Sequence, residues 1–427
     1  MNRLTVLCLI ALLTTVWCTT SLAQERIRAG ILKKVDREGR SVTIKHDDQE
    51  QEFKIADETR LMDLEGKPIE QRLNDERLQA DTPVFFRPLD DTPQTLMGLK
   101  LRRANETQPG APGRQPPTLV KVDTAAFKPL PELGTEKYHG YEGGLYPGGN
   151  NERPSEHEAA GAKLSSQVQP LDADGKPEAS GKIVLLTVGM SNTQQASQAF
   201  KQLADHDAEK NPKLLIVDGA QGGMTAQAIQ DPDDGSRGSQ YWSVVDQRLS
   251  GAKVTRAQVQ VVWIKQADAG PNQGFPKYAE KLQQELAKIV QSLPRRFPNV
   301  KLCYLSPRTY GGYAKTPLNP EPYAYESGFS IKWLIEQQLR REGGLNFDPA
   351  QGAVQAPWLS WGAYLWANGT KPNADGLSYD EGDFATDGTH ESPSGQRKVG
   401  AQLLRFFKTD STTRPWFVRA AAHDEEP

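Results

Sequence analysis

The 427-residue sequence predicts an α/β protein in which a small all-β N-terminal domain precedes a three-layer α/β/α sandwich with a parallel sheet. Two observations carry this prediction. Short runs of β-forming residues separated by charged turns dominate the first hundred residues. Farther along, four apolar runs of buried-strand length alternate with amphipathic helical segments, and this alternation is typical of a parallel sheet with helices on both faces.

Residues 1–23 have the composition of a cleaved secretory signal peptide. A basic start, MNR, precedes the apolar run LTVLCLIALLTTVW, and small residues precede the expected cleavage after Ala23. The apolar run is short for a bilayer span, and this favours a cleaved signal peptide over the alternative, a permanent membrane anchor. We therefore expect an exported protein, periplasmic or extracellular, with no stable membrane span after cleavage.

The composition limits the expected partners and cross-links. The chain has 51 Lys and Arg against 54 Asp and Glu, a formal net charge of −3, so no nucleic-acid partner is expected. Two of its three cysteines, Cys8 and Cys18, lie inside the signal peptide, which leaves Cys303 in the mature chain. No intramolecular disulfide is therefore expected, and stability must come from a sizeable core.

Residues 24–104 are expected to form a small β-barrel-like accessory domain. GILKKVDREGRSVTIKHDDQEQEFKIADETRLM alternates β-forming residues with charged turns, TPVFFRP and TLMGLKLRR add two strands, and a helical turn is expected near 69–78. No catalytic constellation occurs there. Residues 105–136 are rich in Pro and Gly, which indicates a linker or an extension wrapped onto the next domain.

Residues 137–420 form the predicted α/β domain. Its clearest helix covers PKYAEKLQQELAKIVQSLPRRF, where apolar residues keep helical spacing on one face. Loops at the carboxyl ends of parallel strands hold the sites of such folds. The predicted strands are 182–188, 213–218, 260–264 and 301–305.

The first of these strands ends at GMSN, which places Ser191 at the carboxyl edge of the sheet. Ser191 either caps the next helix or acts as a nucleophile, and a nucleophilic serine needs a base, usually an imidazole that a carboxylate orients. Among the six histidines, His390 stands before the last amphipathic helix with Asp387 three residues earlier. Asp-x-x-His lets the carboxylate meet one ring nitrogen while the other points outward, although DGTH also suits a plain turn before a helix.

The order and spacing of GMSN, of the Gly-Gly loop in LLIVDGAQGGMTAQ and of DGTH are similar to those of the SGNH (GDSL-like) hydrolases. The resemblance covers about half of the chain, from Gly181 to Lys408, and GMSN is similar to the GQSN-type block of carbohydrate esterases, including sialate and xylan acetylesterases. It implies a flavodoxin-like parallel sheet. It also implies Ser191 as the nucleophile, His390 as the base and Asp387 as the group that orients the base.

The same resemblance implies an oxyanion hole formed by the backbone amides of Ser191 and Gly223. A glycine lets the amide approach an oxyanion without a Cβ in the way, although the two glycines also suit a tight turn. The third block of the resembled family is the segment that follows the third strand. Here it departs from the family pattern, because VVWIKQADAGPNQG keeps Trp263 but has no asparagine at the expected place. Gln266 is expected to supply the side-chain donor, with Lys265 as the second choice.

Four residues are candidates for substrate binding. Arg308 and Tyr310 follow the fourth strand, and Arg308 suits an acidic sugar or a carboxylate unless it forms a surface ion pair. Trp361 and Trp366 precede the DGTH loop and either stack on sugar rings or pack in the core. No metal or other cofactor is expected. The four candidates are Arg308, Tyr310, Trp361 and Trp366.

Together these features predict an exported serine esterase that acts on a carbohydrate or small ester, with acetyl as the expected acyl group. The altered third block motivates an alternative, a catalytically silent glycan- or surface-binding protein on the same scaffold. A lipid or thioester hydrolase is a further option, because the segment before DGTH is rich in tryptophan. The sequence leaves the acyl group, the glycan and the oligomeric state open.

Overall fold

A computed structural model describes residues 27–46, 49–57, 59–88, 94–103, 119 and 121–419. The chain divides into two compact units, Met1–Pro116 and Pro117–Pro427. The predicted signal peptide and most of the first half of the predicted linker lie outside the described residues. In the described part of the chain, no helix is both long and apolar enough to span a membrane.

The N-terminal unit is a six-stranded sheet with the order β3-β2-β1-β5-β6-β4. A further bridge pairs Lys54, at the end of β3, with Thr95, just before β6, so the sheet curls towards closure. One 3-10 turn, Arg72–Asn74, lies where a helical turn was expected. The strands are β1 Arg28–Asp36, β2 Ser41–His46, β3 Gln49–Lys54, β4 Arg60–Met62, β5 Pro83–Pro88 and β6 Leu96–Leu101.

The alternation of residues in these strands builds a separate apolar core. In β2, Val42 and Ile44 are buried on the same face because their side chains are two residues apart. They belong to the same apolar core as Phe53 of β3 and Phe86 of β5. The turn between β1 and β2 is held by the Asp36 carboxylate, which accepts a hydrogen bond from the Gly39 amide at 2.7 Å.

The C-terminal unit contains a five-stranded parallel sheet with the order β10-β9-β11-β12-β13. The first strand along the chain therefore lies between the second and the third, which is the flavodoxin-like order and creates a switch point between β9 and β11. A two-stranded hairpin precedes this sheet. The strands are β7 Lys137–Tyr138, β8 Tyr141–Glu142, β9 Ile183–Gly189, β10 Leu214–Asp218, β11 Val259–Lys265, β12 Leu302–Leu305 and β13 Trp358–Trp361.

Helices cover both faces of the parallel sheet. Alternate residues of β9 supply two separate apolar cores, with Val184 and Leu186 in one and Ile183 and Leu185 in the other. The first core includes residues of α5, α6 and α7, and the second includes residues of α3 and α8. The helices are α1 Leu130–Leu133, α2 Ser155–Ser165, α3 Ser191–Asp205, α4 Ala226–Ile229, α5 Arg237–Gly251, α6 Lys277–Arg296, α7 Tyr323–Leu339, α8 Pro393–Thr409 and α9 Arg414–Phe417.

The second half of the predicted linker packs against the α/β unit. The Leu130 amide donates to the hydroxyl of Tyr364 at 2.9 Å, and Leu130 has no exposed area. The Asn368 side chain donates to the carbonyl oxygens of Thr124 and Phe127 at 2.6 and 3.0 Å. From residue 121 onwards, this segment therefore packs along the surface of the α/β unit.

Candidate active site

The nucleophile loop is shaped by Gly189, the last residue of β9. A Cβ at this position would overlap the carbonyl oxygen of Lys265 and the Thr193 side chain, so glycine is required where β9 approaches the end of β11. One residue, Met190, then separates the strand from α3, which begins at Ser191. The short connection places Ser191 directly at the carboxyl edge of the sheet.

Replacing Gly189 with alanine is expected to lower the free energy of unfolding by about 1–3 kcal/mol, because the added methyl group meets backbone atoms that cannot move independently. Chemical denaturation measures this change. Gly251→Ala is the matched control, because no atom lies within 4 Å of its added Cβ at the end of α5. Equal stability of the two variants would contradict this account of the strand end.

The hydroxyl of Ser191 does not cap α3, although the residue begins that helix. Its Oγ lies 2.8 Å from Nε2 of His390, which is 199 positions away in the sequence. The positive end of the α3 dipole is at the same place and favours negative charge that develops there. The Ser191 side chain therefore contacts the imidazole of His390 and does not serve as a helix cap.

The DGTH loop holds the imidazole from its other side. Nδ1 of His390 lies 2.6 Å from Oδ2 of Asp387, and Oδ1 of the same carboxylate accepts the backbone amides of Thr389 and His390 at 3.0 and 3.1 Å. Burial raises the pKa of Asp387, but the hydrogen bonds from His390 and the two amides outweigh it and hold the pKa at about 2. The carboxylate is therefore ionised at neutral pH.

Gly388 lets this loop turn, since its φ of +68° lies in the left-handed region. A Cβ there would also overlap the Tyr313 carbonyl oxygen of the loop that follows β12. The Lys315 amide donates to the carbonyl of Asp387 at 2.8 Å, so the two loops are joined. Ser191, His390 and Asp387 thus form a continuous chain of hydroxyl, imidazole and carboxylate, which is the arrangement that activates a serine for acyl transfer.

The loop after β10 packs beside the nucleophile loop. The Gln221 amide donates to the Gly189 carbonyl at 3.0 Å, which brings the Gly-Gly pair next to the end of β9. Gly223 is exposed, with a φ of +70°, and its carbonyl accepts a hydrogen bond from Arg237. Because Arg237 of α5 binds this carbonyl oxygen, the orientation of the Gly223–Met224 peptide group is restrained.

The two candidates for the third oxyanion donor have different surroundings. Lys265 has no exposed side-chain area, and its Nζ lies 2.9 Å from Oε1 of Glu391, so its charge is committed to that carboxylate. Gln266 is also buried; its Nε2 donates to the Met224 carbonyl at 2.9 Å and its Oε1 accepts the Ala267 amide. The second Nε2 hydrogen of Gln266 has no acceptor within the described residues.

No protein-family model matches the chain, and no curated protein matches it. Parts of it are similar to solved structures. The match to the lipase Lip_vut3 from a goat rumen metagenome covers 52% of this chain and 96% of the lipase, at 12% identity and a TM-score of 0.32.

The match to the periplasmic domain of a lipopolysaccharide acetyltransferase from Salmonella ser. Paratyphi A covers 58% of this chain and 94% of that domain, at 13% identity and a TM-score of 0.28. The match to apo-CusF from Escherichia coli covers 20% and 98%, at 19% identity and a TM-score of 0.14. At these TM-scores the three similarities identify no family.

Arg308 and Tyr310 lie in the loop after β12. Arg308 is buried rather than part of a surface ion pair; its Nε donates to Asn319 at 3.0 Å, and burial lowers its pKa. The Tyr310 hydroxyl lies 3.0 Å from that of Thr124, and its ring packs edge-on against Tyr313. Tyr310 is half-buried, so part of its surface remains accessible.

Both candidate tryptophans are buried. Trp366 has no exposed area, and its indole donates to Oε1 of Glu321 at 2.7 Å. Trp361 is 3% exposed, donates to the Leu145 carbonyl and lines a cavity of about 640 Å³ whose lining does not include Ser191, His390 or Asp387. Both residues pack in the core, the alternative to sugar stacking that the sequence left open.

A metal site is not evident at the triad. Within the described ranges, no group of three or more His, Cys, Asp or Glu side chains is arranged to hold a metal ion. Cys303 is buried, and burial raises the pKa of its thiol, so it is no competing nucleophile.

Proposed function

We propose that this protein is a serine esterase that hydrolyses a carbohydrate ester, with acetyl as the acyl group, outside the cytoplasm. One observation carries the proposal: Ser191 Oγ lies 2.8 Å from His390 Nε2 while the other ring nitrogen lies 2.6 Å from Asp387. These distances are within the range in which an imidazole removes a proton from a hydroxyl. Nothing in the chemistry requires a cofactor.

In the acylation step, His390 Nε2 takes the hydroxyl proton as Ser191 Oγ attacks the ester carbonyl carbon. The tetrahedral oxyanion then collapses, the bond to the alcohol breaks, and His390 gives its proton to the departing alcohol oxygen. In the second step a water molecule takes the place of that alcohol. The water oxygen attacks the acyl carbon as His390 takes a proton from the water. The second tetrahedral oxyanion then collapses, the bond to Ser191 Oγ breaks, His390 returns the proton to Oγ, and the carboxylic acid leaves.

The oxyanion forms at the carboxyl edge of the sheet, beside backbone amides of the loops that follow β9 and β10. The Ser191 amide, at the positive end of α3, and the Gly223 amide are the proposed donors, and the uncommitted Nε2 hydrogen of Gln266 is the third. One such donor contributes about 10²- to 10³-fold to kcat in other serine hydrolases. Lys265 is not proposed as a donor, because its ammonium group is bound to Glu391.

The carbohydrate part of the proposal rests on the resemblance to sugar esterases and on the loop after β12. Tyr310 and Tyr313 are partly exposed aromatic residues, and the loop that carries them is joined to the Asp387 carbonyl through the Lys315 amide. Aromatic rings beside a catalytic loop offer a flat surface on which a sugar ring packs. Export rests on the predicted signal peptide.

Acyl-chain preference is the measurement that tests the substrate class. We expect the purified mature chain to release acetate from an acetylated polysaccharide and to hydrolyse 4-nitrophenyl acetate at least tenfold faster than the octanoate. A serine-directed fluorophosphonate should label Ser191, as peptide mass spectrometry would show. A preference for the octanoate would replace the proposal with a lipid hydrolase, and polysaccharide binding without labelling or turnover would support the catalytically silent alternative.

A further inference from the structure

A buried ion pair lies directly behind the catalytic residues. Lys265 ends β11 and Glu391 follows His390, and both side chains have no exposed area. Nζ of Lys265 lies 2.9 Å from Oε1 of Glu391, although the two residues are 126 positions apart. No local feature of the sequence predicts this contact, because the two residues are far apart along the chain.

Stability alone gives a poor explanation for such a pair. Removing two charges from water costs several kcal/mol for each ion, and apolar residues of the same volume often replace a buried pair without loss. Burial lowers the pKa of Lys265 to about 8 despite the attraction of Glu391, which reflects this cost. A buried pair that contributes little net stability is more readily explained by the geometry that it holds.

On the lysine side, the pair is attached to the first turn of α3. Nζ of Lys265 also donates to the carbonyl of Asn192, the residue after the nucleophile, at 3.3 Å. The backbone carbonyl of Lys265 accepts the hydroxyl of Thr193. Lys265 therefore contacts the nucleophile helix through both its side chain and its backbone.

On the glutamate side, the pair is attached to the base. Oε1 of Glu391 accepts the Thr309 hydroxyl at 3.1 Å, and the Glu391 carbonyl accepts the Gln396 side chain of α8 at 2.9 Å. Glu391 is covalently next to His390. A closed path thus runs from Ser191 through the Asn192 carbonyl, Lys265 and Glu391 to His390, and the hydroxyl–imidazole contact completes it.

We infer that Lys265 and Glu391 are positioning residues that set the separation between Ser191 Oγ and His390 Nε2. This inference rests on the proposed serine esterase function. Neither residue touches substrate, because neither has exposed area. A displacement of about 1 Å in reacting groups can cost about a hundredfold in rate, so loosening this path should lower kcat while leaving substrate binding unchanged.

The test separates positioning from stability by removing both charges at once. Lys265→Met alone leaves the buried Glu391 carboxylate without its ion-pair partner and should lower the Tm strongly, whereas Lys265→Met with Glu391→Gln removes both charges of the pair and should recover most of that loss. In the double variant we expect kcat for 4-nitrophenyl acetate to be 10- to 100-fold below wild type, with KM within twofold. Wild-type kcat in a folded double variant would overturn the inference and leave the esterase function intact.

Two further variants keep the test decisive. Lys201→Met with Asp205→Asn removes an exposed ion pair on α3, the helix that begins at Ser191, and should leave kcat unchanged. Thr309→Val removes only the hydroxyl that holds Glu391, and we expect a threefold to tenfold lower kcat at unchanged KM. If the double variant does not fold, an unchanged kcat in Thr309→Val would overturn the inference. An inactive wild-type chain would instead count against the proposed function itself.

Discussion

Replacing Ser191 with alanine is expected to lower kcat for 4-nitrophenyl acetate by about 10⁴- to 10⁶-fold, because the substitution removes the atom that forms the acyl-enzyme. Steady-state kinetics with an acetyl ester measures the loss. Whatever rate remains should come from the oxyanion donors and from substrate binding, which stay in place. Labelling of the protein by a fluorophosphonate should disappear together with turnover.

The same substitution should leave the fold intact. The Ser191 hydroxyl does not cap α3, and its hydrogen-bond partner is the imidazole of His390. We expect the free energy of unfolding to change by no more than about 0.5–1.5 kcal/mol, the net value of one hydrogen bond. Ser243→Ala, at an exposed position of α5, is the control and should keep full activity. Full activity in Ser191→Ala would refute the proposed mechanism.

Much of the fold follows from residue periodicity. The helix that the sequence predicts most clearly is α6, and its apolar stripe is buried at Tyr278, Leu282 and Leu286. The four predicted strands correspond to β9 to β12 within one residue at each end. The sequence does not predict the fifth strand, β13. Its four residues, WLSW, are too few to show a period, and their aromatic character is equally typical of a binding surface.

The residues of the candidate site that could be predicted are those that lie in short, recognisable sequence patterns. Ser191 stands at a strand-to-helix junction and Asp387 is three residues from His390, so both patterns can be read within a short window. The Lys265–Glu391 pair could not be read in this way, since it joins the end of β11 to the loop before α8 across 126 positions. Trp366 was equally ambiguous, because an aromatic residue near a site has the same local pattern whether it is exposed or buried.

Asp387→Asn is expected to lower kcat by about 10⁴-fold, the size of this effect in serine hydrolases with a Ser-His-Asp triad. An asparagine can keep its oxygen on the amides of Thr389 and His390, which places its NH₂ group against Nδ1 of His390. Nδ1 must then accept, so the proton moves to Nε2 and that nitrogen can no longer remove the proton from Ser191. The comparison of kcat in the variant and the wild type measures the effect.

The same pair of proteins also gives a test at low pH, because the pKa of Asp387 falls from its ordinary value of 3.8 to about 2 in the folded chain. A carboxyl with a lowered pKa in the folded state contributes stability above about pH 4, and that contribution is lost as the pH falls towards 2. The difference in unfolding free energy between wild type and Asp387→Asn should therefore shrink over this window. A difference that stayed constant from pH 6 to pH 2.5 would mean that the carboxylate is not held by His390 and the two amides, and the imidazole would then have no orienting group.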